Sequence, residues 1–113
     1  TKDLIRNCLN SIYAYTKGFK FEIIVSDNGS KDGSIEMIRK DFPFVVLIEN
    51  NANLGFGAAN NRGLDIAKGK YIFYLNSDTV LLSNPVKCFF DYWENSSICE
   101  EIGCLGCILK DKD

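Results

Sequence analysis

The chain has 113 residues, with 46% hydrophobic and 25% charged, which fits one ordinary folded domain and argues against a disordered or fibrous chain. A net charge of −2, a pI near 5.1 and no basic run argue against a nucleic-acid face. No apolar run approaches the roughly 20 residues needed to cross a bilayer, and the absence of histidine removes Ser-His-Asp, Cys-His and histidine-zinc chemistry.

In chain order, Leu4, Ile5, Cys8, Leu9 and Ile12 fall at helical spacing and predict an amphipathic helix over residues 3–15. Residues 21–25 read as a short apolar strand that ends at the turn signal Ser26-Asp27-Asn28-Gly29. A second helix carries Ile35, Met37 and Ile38, with Ser30 or Asp32 as its N-cap, and stops before Pro43. Residues 44–48 form the next predicted strand, residues 56–68 a third helix, and residues 71–75 a third strand running into Asn76-Ser77-Asp78. Pro85 suits the first turn of a helix reaching about Glu94, and a last strand is predicted around residues 102–109.

Short apolar strands alternating with helices predict an α/β fold with a mostly parallel sheet and flanking helices. The first helix has no strand before it and the last strand no helix after it. The chain is therefore expected to be a single partial domain, 1–113, cut from a longer protein. Five cysteines at scattered spacing predict free, mostly buried thiols in a reducing, cytoplasmic setting. Cys104 and Cys107, at an odd offset on a predicted strand, would point to opposite faces and do not make a zinc site.

Ligands of open α/β sheets bind beyond the carboxyl ends of the strands. Three predicted strands end there in polar residues: Asp27 and Asn28; Asn50, Asn51 and Asn53; Asn76 and Asp78. Asn76-Ser77-Asp78 offers an amide oxygen, a hydroxyl and a carboxylate, hard ligands of the kind Mg²⁺ and Mn²⁺ accept alongside phosphate oxygens. The alternative is a turn closing the strand end. The loop from Asn53 to Gly63 contains Gly55-x-Gly57 but has Asn60 where a dinucleotide fingerprint needs glycine or alanine. What it offers is backbone N–H groups near a helix start and the amides of Asn60 and Asn61, suited to phosphate or sugar hydroxyls, or else a tight turn built for packing.

The succession Val25-Ser-Asp-Asn-Gly-Ser-Lys-Asp-Gly-Ser34, Asn53-Leu-Gly-Phe-Gly-Ala-Ala-Asn-Asn-Arg-Gly63 and Tyr74-Leu-Asn-Ser-Asp-Thr79 resembles family 2 glycosyltransferases of the GT-A fold, closest to the rhamnosyltransferase-like branch. The resemblance implies an incomplete nucleotide-sugar-binding domain of an inverting enzyme. Such an enzyme moves a sugar from a UDP- or dTDP-sugar to a saccharide or lipid-linked acceptor hydroxyl with help from Mg²⁺ or Mn²⁺. It implies that Asp27 contacts the base or ribose, that Asn28, Gly55 and Asn61 lie near the donor, and that Asp78, helped by Asn76, holds metal and diphosphate. It further implies work at the inner face of the membrane, with peripheral association of the parent protein. Asn76 stands where the family's first acid usually lies, and Asn60 where many members carry arginine. The family's opening strand and its later general base have no counterpart here. A sugar nucleotidyltransferase and a non-catalytic nucleotide- or glycan-binding module are the competing readings.

Overall fold

A computed structural model describes residues 1–97, 99–101 and 103–106. The elements are α1 (Lys2–Tyr15), β1 (Ile24–Asp27), α2 (Ser34–Asp41), β2 (Val46–Glu49), α3 (Phe56–Ile66) and α4 (Pro85–Asn95), then a 3₁₀ turn at Cys99–Glu101. β1 and β2 pair in parallel, with Ile24 opposite Val46 and Asp27 opposite Glu49. Two further bonds prolong the ladder at either end, Val46 N–H to the Ile23 carbonyl and Asn50 N–H to that of Asp27, each 2.9 Å. The predicted α/β class and parallel pairing are what the structure has, with helices flanking a sheet of two strands.

The core follows from the helical spacing. Leu9 on α1 meets Met37 and Ile38 on α2 and Phe42 just beyond it; Ile5, Ile12, Ile23, Val25, Val45 and Leu47 pack around this group. Burying each large aliphatic side chain stabilises by about 1.5–3 kcal/mol relative to exposure. This one cluster therefore joins both strands to α1 and α2. Pro43 stops α2: Phe42 before it leaves helical geometry at φ −131°, ψ 63°, as a residue preceding proline tends to. α4 starts as predicted, with Pro85 at its head and the Asn84 side chain accepting from Lys87 N–H at 3.1 Å.

Several boundaries differ from the predictions. The first strand begins three residues late, at Ile24, and reaches Asp27. The helix after it is preceded by Gly33, at φ 84°, rather than by Ser30 or Asp32 as N-cap. Asp32 still serves that end, because its Oδ1 accepts from Ser34 N–H at 3.1 Å and from Ser34 Oγ at 2.6 Å. Those bonds hold the Asp32 carboxyl below its ordinary range.

The largest correction concerns residues 71–75, which form no strand. An apolar run becomes a strand only where an edge with matching hydrogen-bonding groups lies alongside, and among the described residues β1 pairs only with β2. The side chains find aromatic partners on α4 instead. Tyr71 meets Phe90 and Trp93, both at 6.2 Å between centroids, and Phe73 meets Phe89 at 5.8 Å. Of the strand predicted over 102–109, residues 102 and 107–109 lie outside the described residues, and 103–106 form no strand.

Candidate functional site

Asp27, the last residue of β1, begins a tight turn. Its Oδ2 accepts from the backbone N–H of Gly29 and of Ser30, both at 2.8 Å. The acid thus shapes the turn with one oxygen, while its other oxygen makes no hydrogen bond among the described residues. Beside this turn lies an open cleft of about 210 Å³ lined by Ser26, Asp27, Asn28, Ser30, Asp32 and Ser34, closed on one side by Thr1 and Ile5 of the α1 end and on another by Ser77. The carboxyl end of β1, the start of α2 and the Asn76-Ser77-Asp78 motif therefore meet. Apart from the apolar Ile5 and Val25, the walls are hydroxyls, carboxylates and an amide, a lining suited to a polar, hydroxyl-bearing ligand.

With no strand to hold it, the motif is anchored by α1. Ser11, buried on that helix, donates to the Cys8 carbonyl at 2.7 Å and accepts from Leu81 N–H at 2.9 Å. The Cys8 thiol reaches the Asn76 carbonyl at 3.7 Å, and Thr79 closes the turn by donating its hydroxyl to that same carbonyl at 2.7 Å. Burial pushes the Cys8 thiol up; the Thr79 hydroxyl opposes this and the nearby Asp78 carboxylate adds to it. The turn is therefore closed by Thr79 on backbone. The side chains of Asn76 and Asp78 make no hydrogen bond or ion pair among the described residues, and both residues are exposed. Their donor set fits a hard cation that takes its other ligands from phosphate and water. No group of three or more His, Cys, Asp or Glu that could hold a metal ion gathers among the described residues.

Asn28 turns towards the neighbouring loop. Its Nδ2 donates to the Gly55 carbonyl at 3.3 Å and to Asn53 Oδ1 at 3.4 Å, while its Oδ1 accepts from Asn50 Nδ2 at 3.0 Å. Gly55, at φ 82° and ψ 167°, occupies a region that is essentially glycine-only and delivers the chain into α3. No side chain caps that helix, so the N–H groups of its first residues are open to an anion. Asn61 lies one turn further along α3, exposed, and does not line the cleft.

The structure thus brings Asp27, Asn28 and Ser77 to one cleft and ties Gly55 to Asn28. Asn76 and Asp78, the chain neighbours of Ser77, do not themselves line the cleft, and neither does Asn61. Thr1, Ser26, Ser30, Asp32 and Ser34 complete the lining and were not selected from the sequence. For all but Thr1 the signal was the density of Asp and Ser between residues 26 and 34, read there as turn and cap chemistry.

Comparison with known proteins defines the class. The profile described as Glycosyl transferase family 2 matches residues 1–98. The chain belongs to that family. It is 37% identical over 97 residues to an uncharacterised glycosyltransferase of Methanocaldococcus jannaschii, covering 81% of this chain and 33% of that protein. It is 34% identical over 97 residues to a poly(ribitol-phosphate) beta-glucosyltransferase of Bacillus spizizenii, with 81% of this chain and 15% of the relative aligned. A UDP-Glc:alpha-D-GlcNAc-diphosphoundecaprenol beta-1,3-glucosyltransferase of Escherichia coli is 35% identical over 103 residues, across 76% of this chain and 41% of its own length. The chain thus spans well under half the length of these relatives. No solved structure matches it.

Proposed function

We propose that this chain is the donor-binding part of a glycosyltransferase that moves a sugar from a UDP- or dTDP-sugar to a hydroxyl of a saccharide or lipid-linked acceptor, with inversion and with Mg²⁺ or Mn²⁺. The observation that carries the reading is the cleft at the carboxyl end of β1, where Asp27, Asn28 and Ser77 converge from separate segments. Family membership supports glycosyl transfer, and the name of the Escherichia coli relative specifies a UDP-glucose donor and a diphosphoundecaprenol-linked acceptor for that protein.

On this reading the Asp27 oxygen not spent on the turn accepts from the base or ribose. The first N–H groups of α3, presented by the Gly55 loop, face the diphosphate and sugar, and Asn61, outside the cleft on the same helix, meets the donor only where it extends beyond the cleft. Asp78, assisted by Asn76, would hold the divalent ion, which when bound neutralises charge on the departing diphosphate. One carboxylate binds such an ion weakly, so ion and nucleotide bind together. The parent protein works at the cytoplasmic face of the membrane, where a lipid-linked acceptor would be reached. No helix among the described residues is long and apolar enough to cross it, which fits peripheral association. No carboxylate of this chain is nominated as general base.

Calorimetry with UDP and dTDP, with and without Mn²⁺, on native and Asp78→Ala protein tests the reading. Mn²⁺-dependent binding lost in the variant is the expected result. Binding that ignores both Mn²⁺ and the substitution overturns the metal role, and no binding of either nucleotide overturns the donor site.

A further inference from the structure

A chain of amides joins the two strand ends to the loop before α3, and its polarity is set at one end. The Gly55 carbonyl carries no proton, so the Asn28 side chain must present Nδ2 to it. That leaves Asn28 Oδ1 pointing back, where it needs a donor, and Asn50 Nδ2 supplies one at 3.0 Å. The same Nδ2 donates to Ser26 Oγ, also at 3.0 Å. With Nδ2 so committed, Asn50 Oδ1 is buried without a hydrogen-bond partner among the described residues. A buried acceptor left unpaired costs the fold free energy and calls for an explanation outside local stability. Nor is the placement of Asn50 loose, since its backbone N–H extends the ladder to the Asp27 carbonyl at 2.9 Å.

We propose that Asn50 is a positioning residue: acting through Asn28, it holds the Gly55 carbonyl and thereby aims the loop and the open first turn of α3 at the cleft. The proposal rests on the donor-site reading for what that loop then binds, but the positioning itself does not. Asn50 does not line the cleft and touches no ligand under this scheme. Two other contacts hang on the same glycine. Ala59 N–H donates to its carbonyl at 3.2 Å, and its own N–H donates to Asn53 Oδ1 at 3.0 Å. Losing the Asn28 bond leaves the segment that turns into the helix to these two contacts, and so holds it more loosely.

Asn50→Asp tests this with an isosteric change. A carboxylate cannot donate to Asn28 Oδ1, so the Asn28 amide turns over to give its Nδ2 to the introduced carboxylate and sets its own oxygen against the Gly55 carbonyl. The Ser26 hydroxyl can still donate to that carboxylate, so folding is retained, checked by circular dichroism. Asn28→Ala breaks the same relay at its other end without setting a second carboxylate against the one introduced at position 50 in the double variant. The readouts are amide hydrogen exchange at Gly55 by NMR and the UDP dissociation constant in Mn²⁺. We expect Gly55 exchange to rise about tenfold and UDP to bind about tenfold more weakly in each single variant, the equivalent of one lost hydrogen bond of about 1.4 kcal/mol. The double variant should be no worse than either single, because one relay is broken once. Unchanged Gly55 exchange in folded Asn50→Asp protein overturns the proposal, as does full additivity in the double variant. Faster Gly55 exchange in a chain whose native form binds no UDP supports the relay and overturns the donor-site reading instead.

Discussion

The two oxygens of Asp27 have separable duties, and a pair of substitutions divides them. Oδ2 takes two backbone N–H groups at 2.8 Å, one of them partly buried and the other exposed. Bonds to a charged acceptor contribute about 1.5–3 kcal/mol each, but water can replace the exposed one, which leaves about 2 kcal/mol for the pair. Asp27→Ala removes both. With a urea slope of about 1–3 kcal/mol per molar, that loss lowers the unfolding midpoint by about 1 M. Asp27→Asn keeps an acceptor oxygen of the same reach in the turn, and its midpoint should fall by less than half as much. Ligand binding should sort the variants differently. Asparagine puts a donor where the remaining oxygen would accept from base or ribose, so both variants should bind UDP at least about tenfold more weakly, or 1.4 kcal/mol. Urea unfolding followed by circular dichroism, paired with calorimetry, reads both effects. An Asp27→Ala midpoint equal to the native one refutes the turn argument; a native-like UDP affinity in Asp27→Asn refutes the ligand argument.

Other consequences follow from the core and from α1. Leu9→Ala, at a position 2% exposed in the only buried apolar cluster among the described residues, should cost about 2–5 kcal/mol in chemical denaturation. Ser11→Ala leaves the buried Leu81 N–H without its acceptor and should cost about 1–3 kcal/mol, with faster exchange at that amide. Native stability should fall as pH rises above 9.0, the ordinary value from which the Cys8 thiol is raised, because the unfolded chain loses that proton first. Below pH 9 both states keep the thiol and its contribution is whole. Subtracting the pH profile of Cys8→Ala isolates the effect from tyrosine and lysine titration, and parallel profiles for the two proteins would contradict it.

How far the sequence reached depends on the range of the interaction concerned. Helical periodicity, Pro43 and Pro85 act over one or two turns, and α1, α2 and α4 begin and end within two or three residues of where that local chemistry placed them. The turn after β1 was equally legible, since Asp27 closes it on residues two and three further on. Ser30 or Asp32 was expected as the N-cap of α2; Gly33 holds that position, with Asp32 accepting from Ser34 beside it. The family was legible too, from three motifs in order, because motif spacing is a property of the chain itself.

Residues 71–75 mark the limit. Their apolar run is what a strand requires of its own side chains, but pairing also requires a neighbour's backbone, and no local signal reports whether one is present. The motif that follows is consequently held by Ser11 and Cys8, about 70 residues away in sequence, rather than by a sheet. Asn50 illustrates the same limit within the candidate site. As a residue it was one of several amides at a strand end; only the folded chain gives it a direction, through a carbonyl on Gly55 that cannot donate. The sequence by itself determined the four helices, the first two strands, the family and the chemistry available at the strand ends, because these depend on neighbours within a few positions. Tertiary structure alone decided which segments pair, which turn faces the cleft and which amide orients another, because each depends on groups brought together from distant parts of the chain.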